Sequence, residues 1–147
     1  MPHILKNKNL EIHIDLPSDG YQLSRFDWTG KITTVNYKGK KVSSVERTDV
    51  DDDINFGKGF YNEFGIEEAV GFEETKIGEW FHKIGVGLLK KNDNEYGFYK
   101  KYNIKPASFN YKFGSDSIEL NCISDHVNGY GYVLWKRLEL LENGFII

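Results

Sequence analysis

Between residues 60 and 83 the chain gathers Phe60, Tyr61, Phe64, Phe72, Trp80 and Phe81 beside Asn62, Glu63, Glu67, His82 and Lys83. Aromatic faces cover the C–H surfaces of a sugar ring, and carboxylate, amide and ammonium groups bond its hydroxyls, so the mixture suits a carbohydrate site. It suits a well-packed core beneath a loop equally well. Chemistry on such a ligand, the exchange of anomers, needs a general acid at the ring oxygen and a general base at the anomeric hydroxyl, so that the ring opens, rotates and recloses. His82 is a candidate acid because histidine titrates near neutrality, and the competing reading is a structural histidine. Lys83 is a candidate contact for a hydroxyl or a phosphate, set against an ordinary surface lysine. Arg25 and Asp27 lie two apart, which on a strand places them on one face, where they can pair across one site.

Other chemistries fail on spacing. The run Asp49-Val50-Asp51-Asp52-Asp53-Ile54-Asn55 begins like a calcium loop, but Ile54 stands where the sharp-turn glycine belongs and Phe60 where the closing glutamate belongs. A solvated acidic loop is the better reading. His3, His13, His82 and His126 lack zinc spacing, and the single Cys122 cannot complete a thiolate cluster, so neither metal nor cofactor is expected. Cys122 shares a strand face with Ile118 and Leu120, alternating with Glu119 and Asn121, and reads as a buried structural thiol. No nucleophile elbow or phosphate loop is present.

Composition narrows the partners. Nineteen basic and 22 acidic residues leave a formal charge of -3, which supplies no field for nucleic acid or anionic lipid. The N-terminal residues contain no apolar run long enough for a signal peptide or a membrane span, and the lone cysteine fits a reducing compartment, so the expected location is cytoplasmic. With 147 residues the chain reads as one domain, 1–147, able to bury a sizeable core.

The elements that must position these groups are strands. Residues 10–16 alternate Leu10, Ile12, Ile14 and Leu16 with Glu11, His13 and Asp15, the period of a half-buried antiparallel strand. Strands are also expected over 21–28, 32–37, 42–45, 96–99, 105–113, 117–124 and 131–140. Lys38-Gly39-Lys40, Gly114-Ser115-Asp116 and Asn128-Gly129 are expected turns. Residues 47–82 show no sustained period of either kind, and no window supports a long amphipathic helix. The fold class is therefore all-β, an antiparallel sandwich or barrel. The terminal Phe145-Ile146-Ile147 reads as an apolar edge strand in need of a neighbour, which predicts a homo-oligomer.

Several segments carry a family resemblance. Ser24-Arg25-Phe26-Asp27-Trp28-Thr29-Gly30-Lys31-Ile32, then Glu63-Phe64-Gly65-Ile66 and Gly71-Phe72-Glu73-Glu74, then Phe81-His82-Lys83-Ile84-Gly85-Val86-Gly87 and Gly129-Tyr130-Gly131-Tyr132 follow one another in an order that resembles the N-terminal half of aldose 1-epimerase-like proteins of the galactose mutarotase superfamily. The resemblance implies half of a large antiparallel β-supersandwich, an open aldohexose site on one face, and catalysis by a histidine acid and a glutamate base without cofactor. Those catalytic groups come from the family's later half, which lies outside the match, so no catalytic residue is assigned here and His126 receives no such role. Arg25, Glu63, His82 and Lys83 carry over as contacts to a small-molecule sugar. Three readings follow: an aldose 1-epimerase-like protein that interconverts or binds anomers, a non-catalytic carbohydrate-binding remnant, and a small β-barrel carrier of apolar ligands.

Overall fold

Side chains alternate across a strand, so burying Leu10, Ile12 and Ile14 on one side fixes the face of the first sheet. In the computed structural model residues 1–51 and 54–147 are described; within the acidic run, Asp52 and Asp53 lie outside the described residues. The first sheet holds β1 (His3–Lys6), β2 (Leu10–Asp15), β3 (Lys31–Tyr37) and β4 (Lys40–Lys41), antiparallel and in chain order, with a register shift at His13/Ile14. Lys38 and Gly39 close the β3–β4 hairpin with φ of 48° and 77°, the left-handed pair that matches the twist of two adjoining strands.

A second sheet joins β5 (Trp80–Lys83), β6 (Gly87–Lys90) and β7 (Ile104–Pro106). The third runs in the order β11-β10-β9-β8, built from β8 (Ser108–Phe113), β9 (Ser117–Ile123), β10 (Val133–Leu140) and β11 (Phe145–Ile146). Every pairing is antiparallel and the described residues contain no helix, hence none long and apolar enough to cross a membrane. The expected all-β sandwich is what the chain forms.

Two cores hold it together. Leu5, Leu10, Ile12, Ile14, Ile32 and Val35 of the first sheet meet Ile118, Leu120, Leu138 and Leu140 of the third. Each such side chain contributes roughly 1.5–3 kcal/mol as an upper estimate. The second core is aromatic: Tyr21, Phe26, Trp28, Phe72 and Phe81 with Val86 and Leu89, ringed by Tyr61, Tyr96, Tyr102 and Phe109. Phe72 meets Phe81 edge to face at 4.9 Å, the arrangement that ring quadrupoles favour.

The structure corrects several strand expectations. Residues 21–28 are not a strand, because the Tyr21 hydroxyl accepts the Arg25 and Phe26 backbone N–H groups at 2.8 and 3.1 Å, and the Trp28 indole donates to Leu23 O at 2.8 Å. These bonds fold the segment onto itself and turn three of its rings into the aromatic core. Residues 42–45 and 96–99 are also irregular, apart from a single bridge between Val45 and Lys58. The run 105–113 is two strands in two sheets, since Ala107 donates to Val86 O at 3.0 Å as the chain leaves the second sheet for the third. Strands β5 and β6 escape a period-two reading because Phe81, His82 and Lys83 are buried on both faces, as are Leu88 and Leu89. The Asn128-Gly129 turn is present, with φ of 52° and 83°. Cys122 is buried on the inner face of β9, and desolvation pushes its thiol up to about 11.

Candidate functional site

The irregular segment 21–30 lies beside residues 56–64 because the Asp27 N–H donates to Asn62 O at 2.9 Å. That bond places Arg25 next to Glu63. Arg25 Nε donates to Glu63 Oε1 at 2.8 Å and Nη2 to Glu63 Oε2 at 3.4 Å. The other side of the guanidinium holds Glu46, with Nη1 to Oε2 at 3.1 Å and Nη2 to Oε1 at 3.0 Å, while Nη1 also donates to Asn55 O at 3.5 Å. All five N–H donors of Arg25 are therefore directed at protein oxygens, two of the pairs in the forked geometry that suits carboxylates. Its flat face lies 4.5 Å from the Phe26 ring centre and 5.0 Å from that of Phe98. Arg25 is a fixture that aims two carboxylates. Against the desolvation that raises it, the Gly57 N–H and Arg25 hold the Glu46 carboxyl below its ordinary value.

These groups border an open cleft of about 350 Å³, lined by Arg25, Phe26, Glu46, Lys58, Tyr61 and Glu63 with the backbone of the intervening glycines. Tyr61 and Phe26 meet at 5.4 Å and supply its aromatic wall. Arg25 and Asp27 do not pair with each other: with no strand at 21–28, their side chains diverge, and Asp27 turns inward to Lys136.

Lys83 sits behind Glu63. Its ammonium is almost fully buried and donates to Tyr96 Oη at 3.0 Å and Gly65 O at 3.2 Å, while the Tyr96 hydroxyl itself donates to Gly65 O. Burial pushes Lys83 down to about 8, with Glu63 opposing the shift and Arg25 adding to it. Lys83 is not among the residues lining the cleft. His82, one residue earlier, points to the opposite face of β5. Its Nε2 lies 2.9 Å from Tyr130 O, its Nδ1 is buried without a hydrogen-bond partner, and its ring meets Tyr132 edge-on at 5.7 Å. Of the four residues singled out in the sequence, Arg25, Glu63 and Lys83 thus share one neighbourhood and His82 stands behind the strand.

Two participants lie outside the residues singled out in the sequence. Glu46 lies 21 residues from Arg25 in a stretch without period, and nothing in the sequence marks it as a partner. Lys136 carries a signal: it interrupts the apolar inward positions Leu134, Leu138 and Leu140 of β10. A larger cleft of about 540 Å³ is edged by Glu67, Glu68, Glu73, Glu74, Tyr96 and Tyr130, with Tyr130 Oη donating to Glu74 at 2.7 Å. Among the described residues no group of three or more His, Cys, Asp or Glu side chains is arranged to hold a metal ion.

Fold and cleft together define an antiparallel β-sandwich protein with an open, carboxylate-bearing, aromatic-walled cleft. No family model matches the chain, and no curated protein and no solved structure matches it either.

Proposed function

We propose that this chain is an aldose 1-epimerase-like, carbohydrate-binding protein of the galactose mutarotase type, holding an aldohexose or a derivative in the cleft beside Arg25 and Glu63. The observation that carries the reading is the pairing of two Arg25-fixed carboxylates with the Phe26 and Tyr61 rings in one open cleft. Carboxylate oxygens accept hydroxyl protons and the rings cover C–H faces, which are the two needs of a neutral sugar. Arg25, Phe26 and Glu63 come from the segments whose order resembles that superfamily, whereas Glu46 and Tyr61 lie outside them.

Binding is better supported than anomer exchange. No histidine is among the described residues lining the cleft, and the His82 ring is bonded behind β5. The apolar-carrier reading has the least support, because the space between the first and third sheets is filled by interlocking Ile, Leu and Val side chains. Self-association belongs to the same proposal: β11 is an edge strand, and Ile146 and Ile147 lie exposed beside Trp135. Light scattering on dilute protein tests it, with a dimer or larger species expected and a monomer opposing it.

The test of the function is NMR with glucose, galactose and their 6-phosphates against buffer. Line broadening or chemical-shift change at Tyr61 and Glu63 supports binding, and exchange between anomer signals above the buffer rate adds catalysis. A folded protein that perturbs none of these sugars refutes the proposal.

A further inference from the structure

We infer that Lys136, on β10 of the third sheet and outside the irregular segments that line the cleft, is the positioning residue that sets the Arg25–Glu63 pair; the inference deepens the proposed sugar site and rests on it for its functional meaning. Lys136 occupies an inward position of β10 whose neighbours in the pattern, Leu134, Leu138 and Leu140, are apolar. A lysine there contradicts the pattern that builds the sandwich, and such contradictions concentrate where function demands them.

Its ammonium is fully used. Nζ donates to Asp27 Oδ2, to Thr29 O at 2.7 Å and to Asn62 Oδ1 at 2.8 Å, which accounts for all three protons. The Asp27 carboxylate is completely buried, and its other oxygen accepts from Thr29 N at 2.8 Å and Thr29 Oγ1 at 2.5 Å. Lys136 therefore grips two chain segments at once. Asp27 stands two residues after Arg25, Asn62 stands one residue before Glu63, and the Asp27 N–H to Asn62 O bond joins the same two segments. The bond network runs from the third sheet, through Asp27 and Asn62, to the two residues whose side chains form the cleft's forked pair.

Stability alone does not account for this arrangement. A buried ion pair gains little over well-packed apolar residues of the same volume, because the desolvation of both charges offsets their attraction. What it does supply is direction: three hydrogen bonds of fixed geometry locate Asp27 and Asn62 relative to one another more closely than apolar contacts do.

The experiment compares wild type with Lys136→Met and with the charge-free pair Asp27→Leu/Lys136→Met, the second variant guarding against collapse from an unpaired buried carboxylate. Folding is followed by circular dichroism and thermal melting. The direct readout is the Arg25 Nε–H resonance, whose exchange with water is slowed by its bond to Glu63, and which is independent of any sugar. In a folded double variant that proton is expected to exchange about tenfold faster or more, and wherever wild type binds a sugar the affinity is expected to fall by about tenfold. An unchanged Arg25 Nε–H signal and exchange rate in the folded double variant overturns the inference. Wild-type protein that binds no sugar refutes the proposed function instead, and the Arg25 readout still decides the role of Lys136.

Discussion

Replacing Lys83 with Met is expected to stabilise the protein, although it removes two hydrogen bonds. The ammonium is held where burial lowers it from 10.5 to about 8. At about 1.36 kcal/mol per pH unit that gap is a cost of roughly 3 kcal/mol for keeping the charge inside the fold near neutrality. Methionine follows the path of the lysine stem, Gly65 O keeps the Tyr96 hydroxyl as its donor, and that hydroxyl loses the Lys83 donor but keeps its bond to Gly65 O, so neither group is left without a partner. Allowing for imperfect packing, the variant should gain about 1–3 kcal/mol at neutral pH. The sign with pH follows from proton binding. Because the folded value lies below the unfolded one, the unfolded chain binds more protons between about pH 8 and pH 10.5, and wild-type stability rises across that window. The penalty is complete below about pH 8 and gone above 10.5, so the advantage of Met should shrink as pH rises. Lys31, lowered to about 8 by its own burial, contributes the same slope to both proteins and cancels. Urea unfolding of both proteins near neutrality and near the upper end of the window measures the difference. A variant less stable than wild type near neutrality, or an advantage that does not change with pH, would refute the reasoning.

Three further outcomes are expected. Leu120→Ala empties a fully buried position between the first and third sheets and should cost about 2–5 kcal/mol in urea unfolding, with near-native circular dichroism in water. Gly85→Ala drives a methyl group into the Asp27 carboxylate from a backbone at φ of +83°, so it should cost about 2 kcal/mol or more and disturb the Lys136 network together with the turn. Cys122 should resist a thiol reagent in the native state and react at once in denaturant, since it is fully buried and its thiol is pushed up to about 11; rapid native labelling would contradict its placement.

The sequence by itself determined the parts that depend on local period and local turn chemistry. The alternation of Leu10, Ile12 and Ile14, and of Ile118, Leu120 and Cys122, names inward faces before any partner is known, because one face of a strand must leave water. Asn128-Gly129 and Lys38-Gly39 mark their hairpins because few residues accept positive φ. The site around Arg25, Glu63 and Lys83 stands as a proposal: residue types single out 60–83, and Arg25 enters through the family resemblance.

Only the tertiary structure decided how those residues are used. Period says nothing about a strand buried on both sides, so β5 was invisible, and with it the opposed directions of His82 and Lys83. It says nothing about a segment folded back by a tyrosine hydroxyl, so a strand period places Arg25 beside Asp27 when its partners are Glu46 and Glu63. The bond from Lys136 to Asp27 spans 109 residues of chain. Contacts of that separation form because two sheets pack together, and their specificity belongs to the packed surfaces and not to any window of the sequence.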